Sequence, residues 1–311
     1  MTKKVFIDGS AGTTGLRIAE RLESRNDIEL IRLSEENRKD TAARKDALNR
    51  ADIAFLCLPD TAAIEAVSLI ENENTVVLDT STAHRTNSDW AYGFPELSER
   101  FQEKVRTSKR IAVPGCHASG FISLVFPLVE KGIISKDILL SCFSLTGYSG
   151  GGKKMIAEYE NTERDLLLDA PRQYGLGQTH KHLPEMTAIT GIKNAPAFIP
   201  VVGDFYSGME VTIPLFKNQI NSDFTLEDIK TVYREKYSGP IVKYVENFDE
   251  SGFCSANKLK LKDSMEISVS GNEDRILLIA RYDNLGKGAS GAAVECMNLV
   301  LGVDKTTGLE I

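Results

Sequence analysis

A short apolar run, Val5-Phe6-Ile7, passes into Gly9-x-x-Gly12-x-x-Gly15 and then into a stretch with Leu16, Ala19 and Leu22 on one helical face. Strand, glycine turn and helix in that order constrain the N-terminal half to the opening of a parallel α/β sheet. Glycines at such a turn let the backbone approach a pyrophosphate, while the helix start supplies N–H donors and positive dipole. The same glycines also suit a tight connection with no ligand. The spacing departs from Gly-x-Gly-x-x-Gly, so the position between strand and helix carries the reading. Gly9, Ser10, Ala11, Gly12, Thr13, Thr14 and Gly15 are the candidate pyrophosphate contacts of a dinucleotide.

Strand and helix signals continue to alternate. Residues 28–33, 53–58, 75–78 and 111–113 read as strands, and 53–58 is apolar throughout, as a strand covered on both faces should be. Asp60 is expected to cap a helix over 61–70. The expected fold is a doubly wound, Rossmann-type α/β domain followed by an α+β domain with a mixed or antiparallel sheet. In the latter, 138–146, 209–216, 241–245, 265–269 and 276–282 read as strands, and 153–168 and 226–237 as helices. A last helix, 289–301, is expected to pack back on the first domain. The expected boundaries are 1–116 with 287–311 for the dinucleotide domain and 117–286 for the catalytic domain.

Composition narrows the function classes. The 311 residues are 42% hydrophobic and 26% charged, ordinary for a soluble globular chain. A net charge of −7 disfavours nucleic acid or an anionic membrane as the main partner. No apolar run is long enough to cross a bilayer, and no signal-peptide pattern is present. Five cysteines without paired spacing fit a reducing compartment, so a cytoplasmic protein is expected.

Several segments carry chemistry. Pro114-Gly115-Cys116 follows an apolar strand and opens a helical stretch, and a thiol at a helix start is poised to ionise and attack a carbonyl. A small buried thiol is the alternative. His117 neighbours it, but adjacent helical residues do not face each other, so it receives no role. The second strand ends in Leu33-Ser34 without an acidic residue to bind a ribose, and with Arg32, Arg38 and Lys39 nearby this favours NADP(H) over NAD; Ser34 and Arg38 are the candidates. Arg85, in Asp79-Thr80-Ser81-Thr82-Ala83-His84-Arg85, suits a substrate phosphate or carboxylate, or an internal pair. His180-Lys181-His182-Leu183-Pro184-Glu185 offers an imidazole acid/base with a carboxylate to orient it. No further Cys or His completes a metal site there, and no metal is expected. Ser149, Gly150 and Lys153 lie in a glycine loop before a helix, a candidate anion nest or a plain flexible loop. Asn284 and Gly288, in Asp283-Asn284-Leu285-Gly286-Lys287-Gly288-Ala289, face a ligand or simply turn the chain.

The order of these motifs resembles the N-acetyl-γ-glutamyl-phosphate reductases, in the shorter of their two types, essentially end to end. A more distant resemblance is to the aspartate-semialdehyde dehydrogenases. The resemblance implies NADPH-dependent reduction of an acyl phosphate to a semialdehyde in arginine biosynthesis, through a cysteine thioester. Carried over by position, Cys116 is the nucleophile, His182 the acid/base ahead of His180, and Glu185 its partner. The loops at 149–153 and 284–288 then close on substrate and nicotinamide, with Ser149, Gly150 and His180 at the substrate and Asn284 and Gly288 at the cofactor. The substrate phosphate falls to Arg85, Lys153 or Arg172. At 117 the longer members commonly carry Tyr. Implied partners are a small acyl phosphate and further copies of the chain, as a dimer or tetramer. Alternatives are an aspartyl- or aminoadipyl-phosphate reductase of the same mechanism, or a non-catalytic NADP-binding regulator.

Overall fold

The computed structural model describes residues 2–311. The chain divides into two compact units, 1–115 with 289–309, and 116–288 with 310–311. Cys116 and residues 287–288 and 310–311 thus fall on the other side of the boundary from the one expected.

In the first unit the elements run β1 (Lys3–Asp8), α1 (Thr13–Glu23), β2 (Ile28–Ile31), α2 (Thr41–Arg50), β3 (Ile53–Leu56), α3 (Asp60–Ser68), β4 (Val76–Asp79), β5 (Ala91–Tyr92), α4 (Glu99–Thr107) and β6 (Arg110–Ala112). The six strands form one parallel sheet in the order β2-β1-β3-β4-β6-β5. Side chains alternate across it, so each strand feeds two cores. Val5, Ile7, Ile53, Phe55 and Leu78 pack with Ile18 and Leu22 of α1, Val105 of α4, and Val294 and Met297 of the C-terminal helix Gly291–Leu301. Phe6, Ala54, Leu56 and Val77 pack with Ala47 and Leu48 of α2 and Ala63 and Ala66 of α3. Phe55 has no exposed surface, and truncating such a side chain to Ala costs about 3–5 kcal/mol.

The second unit runs α5 (Cys116–Glu130), β7 (Ser141–Gly147), α6 (Gly152–Glu160), β8 (Arg172–Gln173), α7 (Leu183–Thr190), β9 (Ala197–Gly203), β10 (Met209–Phe216), α8 (Leu226–Lys236), β11 (Val242–Tyr244), β12 (Met265–Gly271) and β13 (Arg275–Tyr282). Its seven strands lie in the order β11-β12-β13-β10-β7-β9-β8. The sheet is mixed: β11–β12 and β7–β9 are parallel, and the other neighbours antiparallel. The helix α5 is its centrepiece, packed on β10 and β13 and against α7 and α8. Pro127 lies inside α5 and removes the N–H that would bond Ser123 O. The Tyr237 hydroxyl, just past α8, donates to Ser123 O instead at 2.7 Å, and Tyr233 Oη donates to Leu124 O at 2.5 Å.

Some elements differ from expectation. The helix expected over 153–168 ends at Glu160, where Asn161 Oδ1 accepts the Glu163 N–H in a turn; a short 3-10 turn, Leu166–Asp169, follows. Asp60 lies inside α3, and its carboxylate accepts from Thr82 N and Oγ1 rather than capping the helix. The helix expected from 289 begins at Gly291, after a wider π-type turn, Gly286–Ser290.

Candidate active site

In the first unit β1 delivers the glycine turn. Gly9 has φ +86°, and a Cβ on it would overlap the Cys57 carbonyl; a Cβ on Gly15 would lie 2.5 Å from Gly9 O. Both glycines are therefore demanded by the turn itself. Helix α1 starts at Thr13 with Gly12 as its cap and no side-chain acceptor for its first-turn N–H groups. That donor set, at the carboxyl end of β1, fits a dinucleotide pyrophosphate held through backbone N–H groups. Just past the end of β2, Ser34 O accepts from the Asn37 and Arg38 N–H groups, and Arg38 makes an exposed pair with Glu35 at 2.8 Å.

At the end of β4, Asp79 Oδ2 accepts from Ser81 Oγ at 2.7 Å and meets His84 Nδ1 at 2.6 Å. The His84 ring stacks on Trp90 at 4.0 Å. Arg85, expected at a substrate anion, is buried: Nε donates to Val113 O at 2.9 Å and Nη2 to Thr80 O at 2.8 Å. Its guanidinium ties β6's exit, the strand leading to Cys116, to the end of β4.

In the second unit Cys116 is the first residue of α5. The opening turn of that helix is tied to β13: the Tyr282 hydroxyl accepts from the Gly120 N–H at 3.0 Å and donates to Cys116 O at 2.5 Å. Gly120 is required for this approach, since a Cβ would lie 2.6 Å from Val211 Cγ2 and 2.7 Å from Tyr282 Oη. Gly288, expected at the cofactor, lies against Cys116: a Cβ there would be 3.1 Å from Cys116 Cβ.

His117, given no role from sequence, is the best-connected residue of the cluster. It is 3% exposed, with Nδ1 2.7 Å from Ser144 Oγ and Nε2 2.7 Å from Tyr174 Oη. The rings of His180, His182 and Phe198 lie 5.5, 5.6 and 5.3 Å from it. Burial, with the neighbouring His180, depresses its basicity to a pKa of about 3, so the ring is neutral. His180 is also pulled down, by burial and then by Lys181. Burial raises Tyr174 above the ordinary phenol, and negative charge on Cys116 adds to the rise. His182 caps α7 and is buried; its N–H donates to His180 Nδ1 at 3.2 Å, and Glu185 is buried in the first turn that follows.

The loop residues expected to bind ligand are used internally. Ser149 N–H donates to Tyr206 O, and its Oγ accepts from Asn284 Nδ2 at 3.0 Å. Asn284 Oδ1 accepts from the Gly208 N–H at 2.9 Å. Asn284 therefore latches two loops together, and the Ser149 N–H is not available to an anion nest. Arg172 donates to Tyr159 Oη. Lys153 is exposed at the start of α6, behind Gly150.

Comparison with known proteins agrees with this layout. Residues 4–105 match the model described as semialdehyde dehydrogenase, NAD binding domain, and residues 116–284 the one described as semialdehyde dehydrogenase, dimerisation domain. The chain is 44% identical over 309 residues to the N-acetyl-gamma-glutamyl-phosphate reductase of Brucella ovis, covering 97% of this chain and 100% of that one. The Brucella canis protein of the same name matches to the same extent. Among solved structures, aspartate semialdehyde dehydrogenase II of Vibrio cholerae superposes with a TM-score of 0.73 at 16% identity, covering 97% of this chain and 99% of that one. The Candida albicans aspartate semialdehyde dehydrogenase with NADP gives 0.68 at 16% identity, covering 99% and 100%. The chain belongs to the semialdehyde dehydrogenase family, and within it to the N-acetyl-gamma-glutamyl-phosphate reductases.

Proposed function

We propose that the chain reduces N-acetyl-γ-glutamyl phosphate to N-acetylglutamate 5-semialdehyde and phosphate, with NADPH as reductant and Cys116 as nucleophile. The observation that carries the reading is a cysteine at the first position of a long helix, in a chain 44% identical to reductases of that name.

The helix start favours the Cys116 thiolate. His182 takes the thiol proton, and the sulfur attacks the acyl carbon. The bond between the acyl carbon and the phosphate oxygen breaks, phosphate leaves with the electron pair, and a thioester remains on Cys116. NADPH, when bound by the first-unit turn of Gly9 to Gly15, supplies the hydride that takes the acyl group to the aldehyde level. The imidazolium of His182 returns its proton to the hemithioacetal oxygen and recovers it as the C–S bond breaks, which frees aldehyde and thiolate. Glu185 favours that imidazolium. Arg85 and Arg172 are committed to internal partners, which leaves Lys153 to meet the phosphate. Ser34 and Arg38 contribute to preference for NADP. A homo-oligomer acting in the cytoplasm completes the proposal.

The test is the reverse reaction: N-acetylglutamate semialdehyde, NADP and phosphate, followed by NADPH absorbance. The expected result is a phosphate-dependent signal lost in Cys116→Ser. Equal activity in the variant, or none in the wild type, contradicts it. A larger signal with aspartate or aminoadipate semialdehyde moves the substrate assignment. No turnover together with a Cys116 no more reactive to alkylation than the other four thiols favours the regulator.

A further inference from the structure

A hydrogen-bond chain runs from the core of the second unit toward Cys116: Ser144 Oγ, His117 Nδ1, His117 Nε2, Tyr174 Oη, with both links at 2.7 Å. Its direction is decided by its inner end. Ser144, on β7, has no exposed surface, and among the described residues its hydroxyl bonds His117 alone. A neutral imidazole carries one N–H. If that proton sat on Nδ1, Ser144 would accept it, and the hydroxyl's own proton would be buried without an acceptor, at a cost of about 1–3 kcal/mol. With the proton on Nε2, Ser144 donates to Nδ1 and every inner group is satisfied. Nε2–H then donates to the Tyr174 oxygen, so the Tyr174 proton must point elsewhere. Among the described residues His117 is the one hydrogen-bond partner of the Tyr174 hydroxyl. Tyr174 is half-buried, and its hydroxyl is bonded to the residue that follows Cys116 in α5.

We propose that Tyr174 is a further catalytic residue, whose hydroxyl proton is directed by the Ser144–His117 chain to the acyl oxygen of the substrate, with His117 and Ser144 as positioning residues. The proposal rests on the acyl-transfer reading of Cys116. Charge develops on the acyl oxygen when the sulfur adds and again when the thioester is reduced, and a neutral donor fixed by the residue next to Cys116 serves both stages without being consumed. A rigid donor sense matters because a phenol free to rotate would turn its proton toward His117 and present only lone pairs to an oxyanion.

Two measurements test it. In ¹⁵N-histidine NMR of the wild-type chain at neutral pH, His117 is expected as the neutral Nε2–H tautomer. A proton on Nδ1, or an imidazolium, overturns the chain's direction whether or not the enzyme turns over. In the assay above, Tyr174→Phe is expected to lower kcat roughly 100-fold, the loss typical of one oxyanion donor, with KM for the semialdehyde and alkylation of Cys116 near the wild-type values. His117→Gln, which keeps an N–H within reach of Tyr174, is expected to retain more activity than His117→Leu. An unchanged kcat in Tyr174→Phe, in a wild type that is active, overturns the role of Tyr174 and leaves the reductase reading standing. A wild type inactive toward every semialdehyde overturns both catalytic readings.

Discussion

The Tyr282 hydroxyl in the first turn of α5 sets up a quantitative expectation. In Tyr282→Phe the ring volume is kept and only the oxygen is lost. Gly120 N–H, bonded at 3.0 Å, and Cys116 O, bonded at 2.5 Å, lose their shared partner. Tyr282 and Gly120 are buried, so water does not readily replace the hydroxyl. Each of the two bonds is worth about 0.5–1.5 kcal/mol net, so their loss together costs about 1–3 kcal/mol. In amide hydrogen exchange that range corresponds to Gly120 exchanging roughly 5- to 150-fold faster in the variant. Helix α5 has little room to shift in response, because β10 packs so closely that Val211 Cγ2 would meet a Cβ on Gly120 at 2.6 Å. Exchange at Gly120 equal to the wild type would refute the claim that the hydroxyl is a structural part of the helix start.

Other expectations follow from the same contacts. Arg85→Lys, which loses two buried bonds to carbonyls, is expected to destabilise the first unit by about 2–3 kcal/mol in urea unfolding; a raised KM for phosphate with no loss of stability would instead mark it as a substrate ligand. Lys153→Met is expected to raise KM for phosphate in the reverse reaction while leaving urea stability unchanged, because the side chain is exposed; an unaltered KM removes Lys153 from the site. For pH, the folded state holds His117 at about 3 against 6.5 for the ordinary imidazole. Between those values the unfolded chain binds the extra proton, so this contribution to stability is full above pH 6.5. It declines as the pH falls below, by up to about 1.4 kcal/mol per pH unit. His117→Gln is expected to flatten that part of the curve, and an identical slope in wild type and variant argues against a buried neutral His117.

The first unit was the more legible half. Its strands are short, apolar runs separated by helices, and the period-2 alternation that splits Val5 and Ile7 from Phe6 is a local property of the sequence. Strand Ala197–Gly203 and helix Leu183–Thr190 of the second unit were missed, because their pattern makes sense only against a sheet assembled from distant segments. The same reason hid His117. Neighbours on a helix do point apart, but that rule compares only the pair and ignores what a third element brings. Here β7 supplies Ser144 and the segment after β8 supplies Tyr174, and neither hydroxyl carries a recognisable motif. Glycines were read in place but with mixed purpose: Gly9 and Gly15 are required by the turn's own packing, and Gly288 packs closely on Cys116. Asn284 and Arg85 show a further limit. A polar residue in a ligand-like motif can be consumed by internal partners, which only coordinates reveal.

A covalent acyl group at Cys116 is the intermediate on which the proposed reaction depends. Mixing the full chain with N-acetyl-γ-glutamyl phosphate in the absence of NADPH, quenching in acid and digesting should yield the Cys116 peptide carrying one N-acetylglutamyl group, with one phosphate released per site. Addition of NADPH before the quench should discharge it as semialdehyde. Stoichiometric phosphate release with Cys116 unmodified, or the acyl group found on Cys57, Cys142, Cys254 or Cys296 instead, would contradict the central claim.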